Sequence, residues 1–154
     1  MEIRIGDSSY RIARRMNAYV QFDILSRISP LLASGFGEIV PLFMELKRLG
    51  ITNIAEMDVS RLAAIATPIS RELSKMTDAD RRFIIGTCLA CVDRKKDNEQ
   101  GWARVWNDAA GVSMFDDINN DAFMVIRIAL GVLQETFKGF FPASLSALTG
   151  GMTN

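Results

Sequence analysis

The chain has 154 residues, 18 Lys plus Arg against 18 Asp plus Glu, no His, and an apolar content of 49%. That length suits one domain with a real core, and balanced charge with a pI near 6.3 gives no global field for phosphate polymers or anionic membranes, so neither nucleic acid nor membrane is an expected partner. Without His the chain lacks the commonest general base near neutral pH and the commonest metal ligand, so no enzyme activity, metal or cofactor is expected.

Residues 1–15 alternate in polarity. Ile3 and Ile5 point one way, Gly6 and Asp7 open a tight reversal, and Tyr10 to Ala13 resumes an extended pattern, which predicts a β-hairpin. Asn17 is placed to cap a helix running to Ser29, with Ala18, Phe22, Leu25, Ile28 and Leu32 as its buried stripe. Pro30 should bend or restart that helix and SGFGEIVP should break it. Pro41 then suits the first turn of a short second helix that ends at Gly50. Asp58 caps a third helix from Val59 to Lys75, with Leu62, Ile65, Ile69 and Leu73 in phase and a kink at Pro68. Thr77 and Asp80 have the spacing of a capping box and open a fourth helix that runs to Asp93.

Residues 94–101, RKKDNEQG, contain no apolar side chain and read as a loop. The stretch WARVW, Trp102 to Trp106, reads as a strand that joins the hairpin in a small sheet. Asn107 to Asp121 carries four Asp and no Lys or Arg, which suits the positive pole of the helix that follows. That helix, Phe123 to Phe141, has apolar rows Phe123, Leu130, Phe137 and Ile126, Leu133, Phe140. Its polar arc of Arg127, Gly131, Gln134, Glu135 and Lys138 is thin, so most of its circumference must meet protein. Its most apolar run, 122–132, is interrupted by Arg127 and falls short of a membrane span. The start of the chain does not resemble a secretory signal, so a cytoplasmic location is expected. The expected fold is mainly α: a single domain over residues 1–141 with four to five helices and a small β-hairpin or three-stranded sheet, followed by an apolar tail at 142–154.

Cys88 and Cys91 have the C-x-x-C spacing of zinc and redox sites. With no third Cys and no His, and with a mid-helix position, they read as two reduced core thiols. Arg81, Arg82, Arg94, Lys95 and Lys96 make the fourth helix and its exit basic, which suits a helix C-terminus. If that patch has a target, the region of Asp108, Asp116, Asp117 and Asp121 is a candidate, within one subunit or across to a neighbour. Adjacent Asp116 and Asp117 do not converge on one reacting atom and read as a helix entry. Gly35 and Gly37 lack the spacing of a nucleotide loop. Phe137, Phe140, Phe141, Leu145 and Leu148 form an apolar strip without charge near the carboxyl end. Phe137 suits core packing, and the rest either folds back over the domain or docks on another chain.

The order of these features resembles the tail assembly chaperones of long-tailed bacteriophages and prophages. The resemblance is carried by the hairpin ending in Tyr10, the helix VQFDILSRISPLL with Val20, Gln21, Phe22, Ile24, Arg27, Leu31 and Leu32, the tryptophan-containing segment, MFDDI at Met114 to Ile118, and the late helix closing in Phe140 and Phe141. It implies a non-enzymatic cytoplasmic protein that binds the tape measure protein, keeps it soluble and recruits tail tube protein subunits before leaving the particle. The rival class is a neck or tail-completion subunit retained in the virion. A coat assembled along a helical client would also self-associate. Apolar Met- and Leu-rich helices suit such a client by repacking, with Phe137, Phe140, Phe141, Leu145 and Leu148 as the candidate partner-binding residues.

Overall fold

A computed structural model describes residues 2–50, 57–98 and 100–138. Strand β1 (Glu2–Ile5) reverses through Gly6 and Asp7 into β2 (Ser8–Ile12). Gly6 has φ +59, the left-handed value that a tight hairpin needs at the first turn position and that a side chain resists. Helix α1 spans Ala18–Arg48, α2 Val59–Ser74 and α3 Asp78–Ala90. Strands β3 (Val92–Lys95) and β4 (Trp102–Arg104) follow, then a second pair, β5 (Trp106–Asn107) and β6 (Val112–Ser113). A single turn of helix, α4 (Asp116–Asn119), leads into α5 (Ala122–Phe137).

The first four strands form one antiparallel sheet in the order β1-β2-β3-β4, and β5 with β6 forms a second. This corrects the mainly helical expectation: sheet and helices are both structural layers, and the fold is α+β. The predicted hairpin is present, and Trp102–Arg104 does join its sheet, but only through a strand that the sequence reading had assigned to the end of a helix and a loop. Val92 pairs with Ile12, Asp93 with Arg11 and with Arg104, and Arg94 with Tyr10 and with Ala103. A charged strand can sit in the middle of a sheet because its two buried charges, Asp93 and Arg94, are matched. Asp93 accepts from Arg14 at 2.5 and 2.9 Å and from Arg11 at 3.2 Å, and Arg94 donates to both oxygens of Asp117 at 2.7 Å. The predicted fourth helix accordingly stops at Ala90, three residues early.

WARVW is not one strand. It divides at Val105, whose N–H donates to Val92 O and whose carbonyl accepts from Met114 N, so this fully buried residue joins the two sheets.

The two helices expected between Asn17 and Gly50 are one helix of 31 residues that runs through Pro30, Gly35, Gly37 and Pro41. Each proline removes one backbone bond, at the carbonyls of Ser26 and Gly37, and the neighbouring turns carry the helix across while α1 packs along α2. Its phase also differs from expectation. Ile24 is fully buried, with Val20, Leu25 and Ile28 packed around it, whereas Ala18 is exposed and Phe22 is 68% exposed. Arg27 fixes the rotation by pairing with Asp80 and lying over the Phe83 ring at 4.2 Å, both on α3.

The three predicted caps are present, and Asp121 adds a fourth. Asn17 Oδ1 accepts from Val20 N, Asp58 Oδ1 from Arg61 N and Thr77 Oγ1 from Asp80 N, while Asp121 Oδ1 accepts from Phe123 N and Met124 N at the head of α5.

From Met124 to Phe137 no residue of α5 is fully exposed, so the helix is enclosed as its thin polar arc requires; it packs against α3, α4 and α2. The deepest ridge is Ile128, Ala129 and Val132, not the predicted heptad rows, and Phe123 is 43% exposed at the first turn. The core joins this ridge to Ile3, Ile5 and Tyr10 of the hairpin and to Ile84, Cys88 and Leu89 of α3.

Candidate partner-binding surface

The strip chosen from sequence divides. Phe137 lies in the core at 3% exposure, and Phe140, Phe141, Leu145 and Leu148 lie outside the described residues. Cys88 and Cys91 are free, buried thiols, and burial pushes both up from the ordinary thiol range, so each stays protonated at neutral pH. The basic run is dispersed: Arg81 and Arg82 pair with Asp78 at the start of α3, while Lys95 ends β3 and Lys96 follows it, both exposed. Arg94 does reach the acidic region, within the chain, at Asp117.

What the structure assembles instead is an open groove of ≈ 630 Å³ beside the second sheet, walled by the end of β4, Trp106, Asn107, Asp108, Met114 and Phe115. Its parts are held by local chemistry. Asn107 Oδ1 accepts from Ala109 N at 3.0 Å and Ala110 N at 3.2 Å, and Gly111 at φ +66 closes the turn back to β6. Asn119 of α4 acts as a surrogate strand partner, with Oδ1 accepting from Ser113 N and Nδ2 donating to Ser113 O, both at 2.9 Å. Phe115 N donates to Ser113 Oγ at 3.1 Å, and the Arg94 guanidinium lies 4.7 Å from the Phe115 ring centroid. Asn119 thus ties α4 to the hairpin.

Trp106 is set by α3. A Cβ at Gly86 would lie 3.0 Å from Trp106 Cζ2, so the indole rests on bare helix backbone. We expect Gly86→Ala to change net stability by less than about 1 kcal/mol, because the gain in helix propensity offsets the crowding while the indole yields toward the open groove. In a Trp102→Phe background the emission of Trp106 should shift to longer wavelength. Emission identical to that of the parent would mean that the indole does not lie on α3.

Met114 is 61% and Val112 48% exposed on the hairpin that bounds this groove. The charged side chains on its wall are Arg104 and Asp108, and residues 105–126 around it contain four Asp and no Lys or Arg. Asp117 is matched by Arg94, Asp108 by Arg104 at 3.3 Å, and Asp121 is occupied in capping α5. Asp116 is exposed and makes no ion pair among the described residues. A second apolar surface is carried by Tyr19, 84% exposed, with Phe22 one turn on along α1. Sequence periodicity could not place the groove, because its walls come from three short segments that converge only after folding. The sequence marks WARVW as a strand and Asp116 and Asp117 as a helix entry, neither of which points to a groove. Among the described residues no cluster of metal-ligating side chains occurs and no helix is long and apolar enough to cross a membrane.

Exposed Val112 and Met114 beside this groove, with Tyr19 and Phe22 on α1, make a surface suited to protein partners. The family model described as phage tail assembly chaperone protein, TAC, matches residues 6–149, and the chain belongs to that family. No curated protein and no solved structure gives a significant match.

Proposed function

We propose that this tail assembly chaperone binds the tape measure protein in the host cytoplasm, keeps it soluble until the tube forms and helps to recruit tail tube subunits, catalysing no reaction. The family match over residues 6–149 carries this reading. The exposed Tyr19, Phe22, Val112 and Met114 support it, since a long amphipathic client is held by several modest apolar contacts and not by one deep site. Phe140, Phe141, Leu145 and Leu148 remain proposed contacts, because they continue an apolar, uncharged stretch directly after α5.

Co-expression with a fragment of the tape measure protein tests the reading. The soluble fraction of the fragment should rise by about tenfold when the chaperone is present, corresponding to about 1.4 kcal/mol in favour of the soluble complex. A fragment equally insoluble with and without the chaperone refutes it. The double variant Phe140→Ser with Phe141→Ser should lower that soluble fraction, and an unchanged fraction removes those two residues from the contact surface.

A further inference from the structure

We infer that β1 is a self-pairing edge: two copies of the chain join antiparallel through Glu2–Ile5, in the register that sets Glu2 of each copy opposite Arg4 of the other. The two four-stranded sheets then run on as one. This pairing does not depend on what the protein carries.

The backbone phase of the sheet leads to it. Ala13 N–H donates to Cys91 O at 2.9 Å, so beyond the end of β2 the odd-numbered residue turns its backbone groups toward β3. Bonded and non-bonded positions alternate in an antiparallel pair, so Arg11 also bonds toward β3, while Tyr10 and Ser8 bond toward Ile3 and Ile5 of β1. The backbone groups of Glu2 and Arg4 therefore point away from β2, on the side where β1 is the last strand. A strand added there must present its own outward groups at matching positions. Another β1 does so with Glu2 against Glu2, with Arg4 against Arg4, or with Glu2 against Arg4. Within Glu2–Ile5 each of the first two registers bonds one pair of residues and sets like charges together. The third bonds two pairs and sets opposite charges together in both, with Ile3 on the two-fold axis.

The side chains select the same register. Ile3 and Ile5 are buried on the core face of the sheet, and Glu2 and Arg4 are exposed on the other. On that outer face Arg104, Asp93, Arg11 and Glu2 stand in one row across the four strands and alternate in sign. The row ends at Glu2, which makes no ion pair among the described residues. The partner's Arg4 continues the alternation. On its own sheet Arg4 stands opposite Ser9, so the partner's Glu2 supplies the carboxylate that its row lacks.

A contact made by four-residue strands is far smaller than a standard interface, so the dissociation constant is expected on the order of 100 µM. It is isologous and closes as a dimer, without growing into a filament. Such a contact is sparse in dilute solution and becomes populated where copies are crowded, as they would be on one long client.

Sedimentation velocity of the full chain, with any purification tag at the carboxyl end, should show monomer passing to dimer between about 10 µM and about 1 mM. Glu2→Arg and Arg4→Glu should each weaken the dimer about tenfold, because each sets like charges together in both pairs. An equimolar mixture of the two variants should return it to within about threefold of the parent. Both positions are exposed, so the melting temperature of each variant should stay within about 4 °C of the parent. In hydrogen exchange on the parent chain, the amides of Ile3 and Ile5 should be protected at every concentration, and those of Glu2 and Arg4 should gain protection as dimer forms. A strict monomer at about 1 mM, growth past the dimer, a dimer indifferent to both variants, or a mixture that does not recover overturns the inference. If the Glu2 and Arg4 amides gain protection on adding a tape measure fragment but not on concentrating the chain, the edge belongs to the client and the inference falls. Co-expression tests the chaperone reading separately, and neither result decides the other.

Discussion

Ile24→Ala is expected to destabilise the fold by about 2–5 kcal/mol, whereas Phe22→Ser, two residues away, should stay within about 0.5 kcal/mol of the parent. The two side chains are separated by roughly 200° around α1. Ile24 is fully buried in the cluster that contains Tyr10, Ile84 and Leu89, and Phe22 is 68% exposed. Truncating Ile24 removes methyl and methylene groups from a core closed on the sheet side by Tyr10 and Ile3, where neighbours have little freedom to collapse into the space. In thermal melts the Ile24 variant should lose about 4–20 °C, given about 2–4 °C per kcal/mol for a chain of this size. Should Phe22→Ser lower the melting temperature more than Ile24→Ala, the rotation of α1 described above is wrong.

The second large effect concerns the ion pair that fastens α4 to the sheet. Asp117→Ala should cost about 2–3 kcal/mol in urea unfolding, because it leaves the Arg94 guanidinium, whose side chain is only 10% exposed, with Asp97 at 4.0 Å as its remaining carboxylate. Half of the Asp117 side chain faces water, which keeps the expected cost below that of a fully enclosed pair. Arg94→Lys should recover only part of it. A lysine offers neither the fork that meets both Asp117 oxygens nor the flat face that lies over Phe115. Asp108→Ala is the control: its partner Arg104 is exposed, as is Asp108 itself, and the expected change is at most about 0.5 kcal/mol. Equal costs for Asp117→Ala and Asp108→Ala would show that α4 is held by Asn119 and packing alone.

These two cases mark where the sequence was readable. Caps were legible because they are local: Asn17, Asp58 and Thr77 each satisfy a backbone N–H three residues on, so type and spacing suffice, while Asp121, read only as part of an acidic segment, proves to cap α5. The β1–β2 hairpin was legible for the same reason, with Gly6 and Asp7 between alternating strands. Strand β3 was not. VDRK has the composition of a solvated turn, and what makes it a central strand is the set of opposite charges on Arg11, Arg14 and Asp117, the farthest of them 82 residues away in sequence. The continuity of α1 was hidden by an opposite kind of non-locality. Two prolines and two glycines lower its local preference for helix, and packing along α2 favours the continuous helix.

At the candidate site the residue types were visible but their convergence was not. Trp106 and the MFDDI segment could be singled out in the sequence, yet the apposition of Trp106 to Gly86 and of Arg94 to Phe115 depends on how α3 crosses the second sheet. Phe137 illustrates the reverse difficulty. Its position on α5 suited both a core and an exposed strip, and only the enclosure of that helix places it inside.

The order of the four-stranded sheet also constrains when the protein can fold during its own synthesis. The hairpin leaves the ribosome well before the strand that pairs with it, since Val92, which pairs with Ile12, is made 80 residues later. At about 5–20 residues per second that interval lasts on the order of 4–16 s, and closing so long a loop costs about 4 kcal/mol of chain entropy before any pairing compensates it. Through that interval β2 presents an unpaired edge to the crowded surroundings of a translating polysome. The nascent chain of this assembly factor therefore passes through a sticky stage of its own, and its yield should depend on translation speed between β2 and β3.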